Sequence, residues 1–167
     1  MTDEEEIERA FERRDAYERD GDGFAVTTTA FEGQVTVTAL DDWQAEYTVE
    51  VAAPTLSAAT TEEVGPAVED GWFETLELRL EDAPKTTRVA VDLDGYDLRE
   101  QGEEVVVEYR FTHGNPATAA DVAKAFVEYV EGTYVEGIVP GYEYEGPVAD
   151  LVSEAATDDG TTGGTPL

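Results

Sequence analysis

A predicted strand that leads directly into a long amphipathic helix occupies residues 103–147, and it constrains the fold more than any other stretch. Valine and aromatic residues alternate with polar ones over 105–112, which is typical of a strand with one buried face. A Gly-Asn-Pro sequence at 114–116 interrupts the strand, because proline lacks the N–H that a sheet needs. Apolar residues then recur with helical spacing over 119–138. We therefore expect the remaining elements to pack around one strand and one helix.

The ends of this helix can be predicted from individual residues. The Thr118 hydroxyl can cap its first turn, where the negative charge of Asp121 favours the helix dipole. The apolar stripe continues beyond Gly132, so the helix is expected to pass through that glycine at a cost of about 1 kcal/mol relative to alanine. Pro140 cannot continue a helix, and the helix must therefore end before it.

Four tyrosines lie near the end of this helix, and the sequence leaves two interpretations of them open. They could form a surface for a protein partner or a second copy, because a tyrosine ring offers rigid amphipathic contact area. They could instead complete the core and cover a sheet edge, which we favour because they adjoin a packed helix. The candidate partner-binding residues are Tyr129, Tyr134, Tyr142 and Tyr144.

The first part of the chain predicts a helix followed by three strands. A capping box at 2–5 opens a helix that is expected to extend to Arg19. Short turns containing Gly and Asp then separate strands expected at 24–31, 35–39 and 45–51. Such short connections favour an antiparallel meander with one face toward water.

The segment from 70 to 83 is ambiguous between helix and strand, because its leucines alternate while its aromatic residues match a helical face. We predict a helix, since Leu, Glu and Arg favour helices and Asp70 can cap it. Before it, a short helix near 62–69 would be interrupted by Gly and Pro at 65–66. A strand at 89–93 and a last short helix at 148–155 complete the expected elements.

The predicted order α-β-β-β-α-β-β-α, with a small extra helix, indicates an α+β domain over residues 1–156. We expect a five-stranded antiparallel sheet with the helices packed on one face. The tail at 157–167 is expected to be disordered, because it is rich in Thr, Gly and Asp. In element order the chain resembles the type III secretion chaperone-like fold, a resemblance of topology that implies little about function.

Acidic residues dominate the charge of the chain: 40 Asp and Glu against 10 Lys and Arg, with a net charge of −30. They are spread along the chain, which indicates a surface suited to concentrated salt, since the Debye length is only about 3 Å at 1 M. With few lysines, this pattern is typical of a cytoplasmic protein of a halophilic archaeon, with K⁺ and Na⁺ associated diffusely. The alternative is an ordinary acidic protein with a basic partner. Nucleic-acid binding is disfavoured, because it needs clustered Lys and Arg.

Few residues could carry catalysis or hold a cofactor. The chain has no cysteine, which excludes disulfides, thiol nucleophiles, Fe–S clusters and thiolate zinc sites. His113 is the single histidine, and neither Ser57 nor Ser153 lies in a nucleophile-elbow motif. The Asp-Gly loops at 20–23 and 92–95 lack the glutamate that an EF-hand needs at its twelfth position. We predict no catalytic, metal or cofactor site, and no membrane span, because no apolar run approaches 18 residues.

Two stretches resemble a family of small haloarchaeal proteins of unknown function: DGWFETLELRLEDAP at 70–84 and AKAFVEYVEGTYVEGIVPGYEYEGPVADL at 123–151. The resemblance implies a single small domain and brings no assigned catalytic residue. We expect a non-enzymatic protein-interaction or chaperone-like domain, with a protein partner or a homodimer. The alternative is a small-molecule-binding protein or enzyme, with a pocket between sheet and helices lined by Trp43, Trp72 or tyrosines.

Overall fold

The computed structural model describes the backbone of residues 4–163 and the side chains of residues 4–155. Six strands form one sheet: β1 (Tyr17–Asp20), β2 (Gly23–Val26), β3 (Glu32–Ala39), β4 (Ala45–Pro54), β5 (Gly95–Gln101) and β6 (Glu104–His113). The α-helices of this part of the chain are α1 (Glu4–Glu12), α2 (Leu56–Ala59), α3 (Pro66–Leu80), α4 (Pro116–Glu136) and α5 (Gly146–Gly163). A 3-10 turn at Ala83–Thr86 follows α3.

The sheet has the strand order β1-β2-β3-β4-β6-β5, and all neighbouring strands are antiparallel. β4 and β6 lie at its centre and pair from Ala45↔His113 to Pro54↔Glu104. Buried and half-buried residues alternate along the whole of β4, so one face of the sheet is covered and the other is open. The predicted α+β class, with helices against an antiparallel sheet, is confirmed.

Aromatic rings join the helices to the covered face of the sheet. Phe11 of α1 stacks on Tyr47 of β4, with ring centroids 6.0 Å apart. Phe126 of α4 packs edge-to-face on Phe111 of β6 at 5.6 Å. α4 also crosses close to β3, since a Cβ atom at Gly33 would lie 2.6 Å from a Val127 methyl carbon. The space between sheet and helices is therefore filled by side chains.

The sheet has six strands rather than the predicted five, because β1 occupies residues that were expected in the first helix. α1 ends at Glu12, well before the predicted end at Arg19. A tight turn with Gly21 at φ +57° then brings Tyr17 opposite Val26. The Tyr17 hydroxyl donates to the Ala120 carbonyl of α4 at 2.5 Å. Burial of this ring against α4 favours the hairpin over continuation of the helix.

The strand predicted at 89–93 is also wrong, and the edge strand β5 lies after it, at Gly95–Gln101. Val91 and Leu93 are half-buried against the core, so their alternation reflects packing of an extended segment rather than pairing. β5 turns into β6 at Gly102, whose φ of +64° favours glycine. The observed order, α-β-β-β-β-α-α-β-β-α-α, therefore differs from the predicted one.

The two main helices are confirmed, but their starts differ from the prediction. α3 begins at Pro66 with Gly65 as its N-cap, so the predicted Gly-Pro interruption is the start of the helix, ahead of Asp70. Asn115 rather than Thr118 caps α4, since its side chain accepts from the Thr118 N–H at 3.1 Å. α4 passes through Gly132 as predicted and ends at Glu136.

The last described helix extends beyond the predicted 148–155, because the α5 backbone continues to Gly163. Disorder of residues 157–167 stays a prediction, and residues 164–167 lie outside the described part of the chain. Between residues 4 and 163, each helix is too short or too polar to cross a bilayer.

Candidate interaction surface

Tyr134, one of the four tyrosines proposed for partner binding, lies in the core. It is 1% exposed, and its hydroxyl donates to the Pro54 carbonyl at 2.9 Å. Its ring packs edge-to-face on Phe31 and Trp72, at 4.8 and 5.7 Å between centroids. Burial raises the pKa of Tyr134 well above the usual value for a phenol. In this structure the ring offers almost no surface to a partner.

Tyr129 connects α4 to the end of α3. It is half-buried, and its hydroxyl donates to the Arg79 carbonyl at 2.7 Å. That carbonyl lies in the last turn of α3 and also accepts from the Asp82 N–H at 3.2 Å. The Tyr129 hydroxyl is therefore an additional donor to it, and this bond fixes the end of α3 against α4.

Tyr142 and Tyr144 lie in an extended segment that crosses the end of α2. Two backbone hydrogen bonds hold this segment, from Thr61 N–H to Glu143 and from Glu145 N–H to Ala59, each at 2.9 Å. Both tyrosines are half-buried against the core, and burial raises the pKa of Tyr144. The four tyrosines do not form one exposed surface. Partner binding stays a prediction for Tyr129, Tyr142 and Tyr144, which retain accessible area.

One side of the exposed face of α3 carries no charge, although the other side of that face is acidic. Trp72, Leu76 and Leu80 are buried, and the helical period directs a different set of residues toward solvent. The side chain of Leu78 is 70% exposed and that of Val68 is 38% exposed. We call this set the outer stripe; its members, all exposed, are Ala67, Val68, Gly71, Thr75 and Leu78.

The two edges of the outer stripe differ in charge. Four exposed carboxylates, which we call the acidic edge, follow one side with spacings of four, three and four residues: Asp70, Glu74, Glu77 and Glu81. None of them makes an ion pair with another residue of the part for which side chains are described. On the other side lies Arg79, the single basic residue of α3, which pairs with Glu136 at 2.5 Å.

A cleft of about 240 Å³ between α3 and the end of α4 adjoins the outer stripe. Gly71 and Thr75 belong to both features, and Leu76 and Val139 give the cleft apolar walls. No carboxylate lines it, although acidic residues are common elsewhere in the chain; the full lining is Gly71, Trp72, Thr75, Leu76, Arg79, Thr133, Gly137 and Val139. The outer stripe and this cleft together make a contoured surface without carboxylates, with Arg79 in the cleft and one acidic margin.

The sequence contains a signal for this surface. A helix was predicted for 70–83, and at 100° per residue Gly71, Thr75 and Leu78 share one uncharged side of it. The leucine at 78 was instead considered as evidence for a strand. Apolar residues on both sides of a helix are typical of a helix that packs one side on the core and offers the other side to a partner.

A larger concavity, of about 630 Å³, lies between residues 86–89 and α4, and its charges are mixed. Lys124 pairs there with Glu128 at 3.0 Å, and Arg14 bonds Asp121 at 2.8 Å. In the part of the chain with described side chains, no three His, Cys, Asp or Glu residues are grouped to hold a metal ion. The concavity therefore indicates no specific chemistry.

Comparison with known proteins gives a family and no further relative. Residues 10–154 match the model of a family of unknown function, DUF5813. No curated protein and no solved structure matches the chain. The haloarchaeal origin and the likeness to type III secretion chaperones stay predictions. The matched range contains the whole sheet, α3 and α4, and the chain therefore belongs to the family of unknown function DUF5813.

Proposed function

We propose that this chain is a non-enzymatic protein-interaction domain and that the outer stripe of α3 is its binding surface. The observation that carries the proposal is the exposure of Leu78, which is 70% accessible where the uncharged outer stripe meets the acidic edge, in a chain with a net charge of −30. On a hydrated acidic surface, apolar and uncharged side chains that lie together mark an interaction site more often than a single exposed apolar side chain does. Such a face is therefore expected where another molecule covers it.

The adjoining cleft supports the same role. A flat apolar patch gives little specificity, whereas a cleft beside a ridge accepts a side chain of the partner and fixes its position. The small residues Gly71 and Thr75 separate the ridge from the cleft, so a partner can approach the backbone of α3 closely.

A non-enzymatic role is proposed on the chemistry of the sequence. Catalysis at neutral pH commonly uses His, Cys or an activated Ser or Lys, and this chain has one His and no Cys. Ser57 and Ser153 lie in segments without a nucleophile motif. We further propose that the domain works in a cytoplasm of high salt, which its dispersed carboxylates suit.

Site-specific photo-cross-linking tests the binding surface. A photoreactive side chain is placed at position 75 of the outer stripe or, as the control, at position 117, where Ala117 is also small and exposed. Both proteins are irradiated in a lysate of the source organism at molar KCl. We expect a discrete cross-linked partner from position 75 that is absent from position 117. Equal labelling from both positions, or none from position 75, would contradict the proposal.

A single substitution on the outer stripe should weaken binding of the partner. Gly71→Leu adds bulk to the outer stripe, where Gly71 is exposed and a Cβ atom would have nothing within 4 Å. The substitution also favours the helix, since glycine is the poorest helix former after proline. We expect the cross-link at position 75 to fall about tenfold in this variant, as is common for a substitution at the centre of an interface.

A further inference from the structure

The acidic edge indicates the chemistry of the molecule that covers the outer stripe. We infer that the partner is an amphipathic helix of another protein, with small and apolar side chains on one face and a row of lysine or arginine along one edge of that face. This inference rests on the proposed function and specifies its partner class.

The shape of the surface fits a helix. The outer stripe runs from Val68 to Leu78, about 15 Å along one straight element at 1.5 Å per residue. Its middle positions, Gly71 and Thr75, are small, which lets the axis of a second helix come near that of α3. The cleft of about 240 Å³ is large enough for a bulky side chain from the second helix.

The charge of the acidic edge is complementary to a basic edge on the partner. The four carboxylates of the acidic edge are exposed, and none forms an ion pair within the part of the chain that has described side chains. Their spacing of three and four residues matches the spacing of Lys or Arg along one side of a facing helix. Acidic residues are common in this chain, so the acidic edge alone would indicate nothing. Its importance comes from its position beside an exposed apolar face.

The same charges disfavour a second copy of this chain as the occupant. A two-fold axis that places two α3 helices face to face and antiparallel sets each edge against the same edge of the other copy, so four carboxylates meet four. A parallel pair sets the acidic edge against the edge of Arg79, whose charge is already paired with Glu136. Neither arrangement provides the row of cations that the acidic edge lacks.

Two synthetic peptide helices of equal length test the inference. They share one Ala/Leu face and differ only in a row along one edge, which is Lys in the first and Glu in the second. Binding is measured by fluorescence anisotropy, at the lowest KCl concentration at which circular dichroism shows the folded protein, because salt screens the contact. We expect the Lys peptide to bind about tenfold more tightly than the Glu peptide.

Two protein variants with equal net charge show whether the acidic edge causes the preference for the Lys peptide. In the first, the acidic edge is converted to amides by Asp70→Asn, Glu74→Gln, Glu77→Gln and Glu81→Gln. In the control, four exposed carboxylates that form no ion pair with any described side chain are converted elsewhere: Glu63→Gln, Asp92→Asn, Glu100→Gln and Glu103→Gln. The first is expected to weaken Lys-peptide binding at least about fivefold, and the control to change it little.

The possible results separate the inference from the proposed function. If both peptides bind equally and Gly71→Leu abolishes both, the surface is correct and the basic edge is wrong. If Gly71→Leu changes neither affinity, or the two charge variants weaken binding equally, the contact is diffuse and the inference fails. It also fails if the Lys peptide does not bind, while the cross-link at position 75 still decides the proposed function. A dimer in light scattering that Gly71→Leu dissociates would make a second copy the occupant.

Discussion

The hydroxyl of Tyr109 on β6 donates a hydrogen bond of 2.6 Å to the backbone carbonyl of Leu80 at the end of α3. Tyr109 is fully buried, so no solvent competes for this bond. The Leu80 carbonyl lies in the last turn of α3, where a carbonyl accepts no hydrogen bond from within the helix. The bond therefore fixes the rotation of α3 on the sheet, and with it the face that the helix presents outward.

Replacing this hydroxyl should cost stability. In Tyr109→Phe a buried carbonyl loses its donor, and we expect the free energy of unfolding to fall by about 1–2 kcal/mol. Tyr96→Phe is the matched control, because the Tyr96 hydroxyl makes a similar bond of 2.6 Å to Glu77, but near the surface where water can replace it. Denaturant titration at constant KCl measures both. An equal loss in the two variants would show that burial of the bond does not matter.

High pH should unfold the protein through its buried tyrosines. Burial raises the pKa of Tyr17, Tyr47 and Tyr109 far above the usual value of 10.0. Above pH 10 the unfolded chain loses these phenolic protons while the folded chain retains them, so stability is complete below pH 10 and falls as pH rises. Each such group lowers the free energy of unfolding by about 1.4 kcal/mol per pH unit.

Tyrosinate absorbance and circular dichroism, followed together on raising the pH, check this prediction. We expect part of the tyrosinate signal to appear with ordinary titration and the rest to appear only with loss of secondary structure. A chain in which all tyrosines ionise near pH 10 while the fold persists would contradict it. Reversal on return to lower pH controls for chemical damage.

Glycine at position 33 should be required by the close approach of α4. In Gly33→Ala the new methyl group would lie 2.6 Å from a methyl carbon of Val127, and we expect a loss of about 1–3 kcal/mol. Val127→Ala removes that methyl carbon but leaves a cavity, and it should also destabilise. The double variant should be more stable than the sum of the two losses predicts, and a double-mutant cycle by denaturant unfolding measures this coupling. Strict additivity would show that α4 moves away instead.

Local patterns in the sequence predicted the elements whose burial repeats regularly, and they failed where a tertiary contact decides the structure. The strand of β6 and the helix α4 were predictable, because their apolar positions follow periods of two and 3.6 residues. β1 was not, since Tyr17 matches a helical face equally well, and its choice depends on Ala120, more than a hundred residues away.

The candidate surface shows the same division. The exposure of Leu78 and the acidic edge follow from helical geometry once α3 is accepted as a helix. Burial of Tyr134 follows in part from its place on the apolar stripe of α4, but its contacts with Phe31 and Trp72, which lie in distant parts of the sequence, follow from no local pattern. The cleft beside α3 depends on the angle at which α3 and α4 pack together, and local sequence patterns do not predict that angle.

Two exposed glycines should respond to alanine in opposite ways. Gly132 lies inside α4 with open space around it, so Gly132→Ala should stabilise the protein by about 0.5–1 kcal/mol. Gly141 also has open space, but its φ of +96° disfavours any side chain, and Gly141→Ala should destabilise. Thermal unfolding of the two variants at one KCl concentration compares them. A shift of the same sign in both would mean that the backbone conformation at position 141 does not matter.

Salt should stabilise the fold through screening of its own charge. With a net charge of −30, the carboxylates lie closer together in the folded chain than in the unfolded one, so their mutual repulsion opposes folding. Raising KCl from about 0.1 M to 1 M shortens the Debye length from about 10 Å to 3 Å, which screens this repulsion. We expect the free energy of unfolding to increase steadily over this range, as measured by denaturant titration with urea, which adds no ions. The control is the variant in which the exposed carboxylates of Glu63, Asp92, Glu100 and Glu103 are converted to amides, because none of them forms an ion pair within the part of the chain that has described side chains. Its stability should be higher at low KCl and should depend less on salt. If instead KCl raises the free energy of unfolding equally in both proteins, its effect comes from its action on apolar surface rather than from screening. The proposed adaptation of the charges to salt would then be wrong.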